Sequence, residues 1–173
     1  MGVKHELKYG FWMAVVLFAW LLAEYVSGIH SEYMHLQPFS TMASMLVLVV
    51  GTYHCIKDKN EVSFDSKGSF DQLIIPAGLV ILATSVLTYA FSFIYYNFIN
   101  SEFTEHAVSK SIELLLEKHP DISAEVIENE RINQMVVKSP GTLAMDSFSR
   151  VIIFGLFIML SVVGVIVFQN KKR

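Results

Sequence analysis

The chain has 173 residues, 53% of them hydrophobic and only 17% charged, with a formal net charge of −3. Such a composition is too apolar for an ordinary soluble domain and too poor in charge for a disordered one, and it fits one membrane domain. Cys55 is the only cysteine, which excludes an internal disulfide, a CxxC redox pair and any cysteine-rich zinc or iron–sulfur site.

Lys4 and Lys8 precede the first apolar run, Tyr9–Val26, which a single charge interrupts at Glu24. The run is longer than the apolar part of a signal peptide and no small-x-small cleavage pattern follows it, so it reads as an uncleaved first span. Gly10 and Ala14, then Ala19 and Ala23, stand four apart on one helix face, a spacing that lets a second helix approach closely. The connection from Ser27 to Pro38 is polar, carries no Lys or Arg, and is punctuated by Gly28 and Pro38. Pro38 suits the first turn of the second span, Phe39–Ile56, which ends in a polar edge of His54, Cys55 and Lys57. A charged loop through Asp71 follows, with Lys57, Lys59 and Lys67 counting toward orientation and Gly68 marking a turn.

No charged side chain occurs from Leu73 to Ile99, the third span and the strongest membrane signal in the chain. A hydrocarbon core of roughly 30 Å takes about twenty apolar helical residues, and a soluble helix seldom stays uncharged on every face for so long. Thr84, Thr88 and Ser92 recur at intervals of four, so their hydroxyls share a face; each can bond its own i−4 carbonyl while the face seats against another helix. A pore lining is the weaker reading of that face, because no charge joins it. Tyr95, Tyr96 and Asn97 make an aromatic, polar end suited to the lipid headgroups.

Residues 100–150 are the one sizeable extramembrane segment. Phe103, Ala107, Ile112, Leu115 and Leu116 fall near helical spacing and predict an amphipathic helix that stops at Pro120. Asp121 or Ser123 can cap a second helix through about Lys138, Ser139-Pro140-Gly141 breaks it, and a further helix leads directly into the last span, Val151–Phe168. The segment is acidic, which disfavours nucleic acid or an anionic lipid surface as its partner. The basic tail Lys171-Lys172-Arg173 falls on the same side as Lys4, Lys8 and the loop after the second span. The positive-inside rule therefore places both termini in the cytoplasm, with the 27–38 and 100–150 connections outside. The fold expected is an all-α integral membrane protein: four transmembrane helices, about 9–26, 39–56, 73–99 and 151–168, in an up-down bundle with a helical hairpin outside the membrane between the third and fourth.

The first span ending in Glu24-Tyr25 and followed by Gly28-Ile29-His30, the Lys57 and Lys59 loop, the approach and span from Phe70 to Tyr96, and the long amphipathic segment before a last span with a basic tail together resemble the domain-of-unknown-function 4199 family. The resemblance covers nearly the full length and implies a small four-helix inner-membrane protein of the kind found mainly in Bacteroidota. That family has no established activity, so the resemblance implies no role for any residue.

Glu24 is the most informative side chain, since an ionisable group within a span needs a partner or water. A structural role has it bonding Tyr95, Tyr96, Asn97 or a loop group at the same depth. With His30, Glu32 and His35 it also offers two imidazoles and two carboxylates, donors that suit a transition metal, although their spacing matches no established site. Glu102, Glu105 and His106 read as a solvated helix start, and His54 and Cys55 as an inert interfacial pair. No nucleotide, phosphate, metalloprotease or hydrolase signature occurs, so the chain reads as non-enzymatic and without a cofactor. The function expected is an accessory or interaction subunit of a membrane complex, embedded in the lipid bilayer with a protein partner or as a homo-oligomer. The alternative is a small sensor or carrier of a metal, proton or ligand that uses Glu24 and the His30 and His35 loop.

Overall fold

Apolar runs of spanning length and two shorter polar helices account for nearly the whole backbone. The computed structural model describes residues 3–172, which form α1 (Lys4–Val26), α2 (Gln37–Phe64), α3 (Phe70–Ile94), α4 (Phe103–Lys118), α5 (Ala124–Val137) and α6 (Pro140–Asn170), with no strand among the described residues. A short 3₁₀ turn, Met34–Leu36, leads into α2, and a π turn, Tyr95–Ile99, continues α3. Four segments are long and apolar enough to cross a membrane: Lys4–Val26, Met34–Phe64, Phe70–Ile99 and Pro140–Asn170.

The helix starts carry the expected chemistry. Ser69 caps α3 in a box with Gln72, Ser123 accepts from Val126 N at the head of α5, and Ser139 accepts from Thr142 N before Pro140 opens α6. As the break at Ser139-Pro140-Gly141 predicts, the last apolar run continues a helix that starts at Pro140, 31 residues and roughly 46 Å long at 1.5 Å per residue, which outreaches the hydrocarbon core. One boundary moves from its sequence-based position. The second span does not give way to a loop at Lys57, because α2 continues to Phe64 and its polar residues find partners on other helices. Lys59 pairs with Glu6 at 2.8 Å with both buried, Tyr9 donates to Asp58, and Asn60 donates to Asn170 at 3.0 Å. The turn beyond is closed by Gly68 N donating to Asn60 Oδ1 at 2.9 Å and Asn170 Nδ2 donating to Gly68 O at 3.0 Å.

α3 is the helix the others pack around. It lies against α6, α1 and α2, and α2 also meets α1 and α6. Leu73, Ala77, Val80 and Ile81 fill the middle with Met13, Leu17, Leu48, Met159 and Val163. Small residues permit the closest approaches, since Gly10 faces Ala83 and the Val80 carbonyl while Gly155 faces Ile81. Ala14 is fully buried, as the Gly10 and Ala14 spacing predicts, whereas Ala19 and Ala23 are exposed. α4 rests on the bundle at the Glu24 end, its Phe103 and Ala107 packed with Tyr95, Tyr96, Leu21, Met34 and Leu143. α5 is held to α4 by Lys138: its ammonium donates to Ala107 O at 2.7 Å and to Ser111 Oγ, and its carbonyl accepts from Thr104 Oγ1. Burial holds that ammonium below its ordinary pKa.

Candidate functional site

The Glu24 end of the bundle collects its polar groups through one turn. α1 stops at Val26, and Gly28 takes a left-handed φ of +77°, a conformation that costs glycine little and other residues more. Ser31 N and Tyr33 N both bond to the Gly28 carbonyl. This reversal carries His30 back over the helix it has just left, where it is 2% exposed. His30 Nε2 lies 3.1 Å from Glu24 Oε2, and Nδ1 meets the Tyr95 hydroxyl. Asn100 Nδ2 donates to that same hydroxyl at 2.9 Å. An ionised carboxylate only accepts, so Nε2 carries a proton toward Glu24, and in the neutral imidazole Nδ1 then accepts from the Tyr95 hydroxyl, which in turn accepts from Asn100. Trp20 Nε1 adds a donor to the other Glu24 oxygen at 3.2 Å. The outcome is a directed chain, Asn100 to Tyr95 to His30 to Glu24, that satisfies a carboxylate only 7% exposed.

The π turn builds the other half. Its extra residue per turn, closed by Asn100 N on Tyr95 O at 2.9 Å, rotates Tyr95 and Tyr96 into the protein, where they are 0% and 5% exposed. The headgroup-facing role that the sequence suggests for these two tyrosines is therefore not the one they have. Asn97 points outward and bonds back to Phe93 O. Phe103, at the head of α4, packs against both His30 and Tyr96 with ring centroids 5.2 Å apart in each case, so the network and the root of α4 are in direct contact.

Beside the network lies a cavity of about 80 Å³ lined by all four of the long apolar helical segments. α1 contributes Trp20 and Glu24, α2 contributes Gln37, Thr41 and Ser44, the α3 segment Thr88, Ser92 and Tyr96, and α6 Ser147 and Arg150. Thr84 bonds its own i−4 carbonyl, as the sequence predicts, and Ser85 does so too, but Thr88 does not. Its Oγ1 is buried at the cavity wall with no partner among the described residues. The hydroxyl face of α3 does meet charge, supplied by α1 and α6 rather than by its own helix. Arg150 is partly occupied by Asp146, to which its Nε and one Nη donate.

Of the four residues that suggest a metal site, the structure brings Glu24 and His30 together and leaves Glu32 and His35 exposed on the turn beyond them. Among the described residues no group of three or more His, Cys, Asp or Glu side chains is arranged to hold a metal ion. Glu102 and His106 stand 4.0 Å apart on an exposed helix start, while Cys55 is buried and His54 exposed on different faces of α2. Arg150 was not legible as part of this site, since it lies at the edge of an apolar run where any basic residue would fall; Tyr96 is expected at the depth of Glu24 and Thr88 on a hydroxyl face, but helix spacing does not say which helix faces which.

The family of proteins of unknown function DUF4199 matches the chain over residues 8–167. No curated protein and no solved structure matches it.

Proposed function

The chain belongs to the DUF4199 family of proteins of unknown function, which brings no activity with it, and we propose that it is a non-enzymatic, ligand-responsive accessory subunit of a bacterial cytoplasmic membrane. Its four spans run alternately up and down, with α4 and α5 forming a helical hairpin outside. Lys4, Lys8, Lys57, Lys59, Lys67 and Lys171 cluster at the Glu6 end of the bundle, which the positive-inside rule assigns to the cytoplasm, and the acidic α4 and α5 follow the opposite end.

One observation carries the reading. The buried chain Asn100–Tyr95–His30–Glu24 borders a polar cavity on one side and the root of α4 on the other, so occupancy of the cavity and the set of α4 are physically linked. Binding rather than passage is favoured, since Met13, Leu17, Leu48, Val80 and Ile81 fill the bundle between Glu24 and Glu6. α5 is the output surface. It buries none of its residues and exposes Val126, Ile132, Val136 and Val137 among Glu125, Glu128 and Glu130, a face that suits a protein with an apolar patch rimmed by Lys or Arg and repels a second copy of itself.

Affinity isolation of the tagged full-length chain in a mild detergent, followed by mass spectrometry, tests this. A reproducible partner is expected. It should disappear with Ile132→Lys and Val136→Lys together, and its recovery should change in His30→Gln. Recovery of nothing, or of a set indifferent to all three substitutions, defeats the reading.

A further inference from the structure

We propose that the cavity between the four spans binds a small zwitterion, a primary ammonium joined to an oxyanion a few bonds away, as in phosphoethanolamine either free or as a lipid headgroup. The inference rests on the ligand-responsive reading and supplies the chemical class of the ligand.

The charges of the cavity decide the class. Glu24 comes from α1 and Arg150 from α6, and these two helices are separated by α3 and α2, against which both pack. A carboxylate and a guanidinium therefore face one small space from different walls. An anion entering alone meets Glu24, and a cation alone meets Arg150. A zwitterion gives each wall its opposite charge; as a phosphodiester headgroup it does so with no net charge, and as free phosphoethanolamine it keeps about one negative charge on its phosphomonoester.

The hydrogen-bonding capacity agrees. Glu24 is hydrogen-bonded by His30 Nε2, by Ser40 and by Trp20 Nε1, whose N–H is shared with Ser40 Oγ, and a carboxylate has about four lone-pair sites, so one remains for an ammonium. Arg150 gives its Nε and one Nη to Asp146 and has N–H donors left over for an oxyanion. Thr88 Oγ1, buried beside the same wall without a partner among the described residues, is a donor and acceptor in want of one; desolvated hydroxyls in this state cost free energy, and a rotation of the side chain toward a bound polar group removes that cost. Size agrees too: about 80 Å³ takes a group of a few heavy atoms, against roughly 30 Å³ for each water in the liquid. The cavity lies at the end of α1 beside Trp20, a residue type enriched at headgroup depth, so a lipid can present its headgroup there as readily as a solute can diffuse in.

The test uses Trp20 as its reporter. Trp12 is the other tryptophan in the chain, so the full-length Trp12→Phe protein leaves Trp20 as the sole indole. In nanodiscs of phosphatidylglycerol this protein is titrated with O-phosphoethanolamine, with ethanolamine and with inorganic phosphate. A saturable fluorescence change is expected with O-phosphoethanolamine at a Kd at least about tenfold below that of either half. Glu24→Gln and Arg150→Gln should each weaken it about tenfold or more. Thr88→Val should weaken it too without lowering the thermal unfolding temperature, because Oγ1 has no bond to lose; this variant keeps the test valid should either charge substitution fail to fold. Nanodiscs of phosphatidylethanolamine separate the sources. A signal already saturated and deaf to the free compound identifies the headgroup as ligand, and a titration that persists identifies the solute. The proposal is overturned if ethanolamine or phosphate alone binds as tightly, if the three variants bind like the parent, or if no saturable change occurs by about 10 mM and the two lipids give the same spectrum. Saturation by one half-ligand would overturn the class and leave the ligand-responsive reading standing. Tight zwitterion binding with partner recovery indifferent to His30 would do the reverse.

Discussion

Two glycines in the spans occupy crowded positions that differ in what crowds them. A Cβ at Gly10 would fall 2.7 Å from Ala83 Cβ and 3.2 Å from the Val80 carbonyl oxygen, neither of which can turn aside. A Cβ at Gly51 would fall 2.5 Å from the Met13 side chain, a flexible thioether that can choose another rotamer. Gly10→Ala is therefore expected to destabilise the fold by about 1–3 kcal/mol of overpacking, less up to about 1 kcal/mol of helix propensity, while Gly51→Ala stays within about 1 kcal/mol of the parent. Reversible unfolding of the purified protein in mixed detergent checks both, and equal effects at the two positions would contradict the close contact of α1 with α3. The same scale shows what the sequence can and cannot say of the site. Glu24 stands out because it is ionisable within a span. His30, Glu32 and His35 are indistinguishable by type and spacing, and only the left-handed turn at Gly28 selects His30 to fold back while the other two stay in solvent.

At the level of elements, α2 shows how a buried ion pair lets a helix outrun its apolar stretch. Glu6 and Lys59 meet at 2.8 Å with side chains 2% and 9% exposed, and Glu6 Oε2 has no partner among the described residues. Lys59→Met leaves the Glu6 carboxylate buried without this ammonium and should cost about 3–5 kcal/mol, whereas Glu6→Leu combined with Lys59→Met should return most of that loss, because an apolar pair of similar volume is often as stable as a buried ion pair. A double-mutant cycle by the same unfolding assay measures the coupling, and additive single and double effects would refute it. The element also explains where sequence reading stops. The number and order of helices are legible from apolar runs of spanning length and from Ser, Pro and Gly punctuation. Helix ends are not, since Lys57, Asp58 and Lys59 look the same whether they open a loop or pair with α1. The π turn after α3 is equally silent, because Tyr95 and Tyr96 carry no mark of the extra residue that turns them inward.

For the whole molecule, the decisive quantity is which end of the bundle faces the cytoplasm, because it decides which leaflet the Glu24 cavity opens toward and which compartment α5 reaches. Short connections orient by their Lys and Arg alone, and the 57–69 region with both ends of the chain carries them while the 27–36 connection carries none. The segment from α4 through α5 is long and acidic, so it contributes little to the rule and follows the spans. Labelling of single cysteines introduced into intact cells reads the answer directly. Cys55 is 0% exposed and should stay silent toward a membrane-impermeant maleimide, which makes the parent its own background. Glu117→Cys, near the end of α4, should label in intact cells, and Lys172→Cys should label only after the membrane is opened. Labelling of residue 172 in intact cells together with protection of residue 117 would invert the molecule. The cavity would then face the inner leaflet and α5 would have to find its partner in the cytoplasm, so the basic-rimmed surface that complements its acidic face would be sought there.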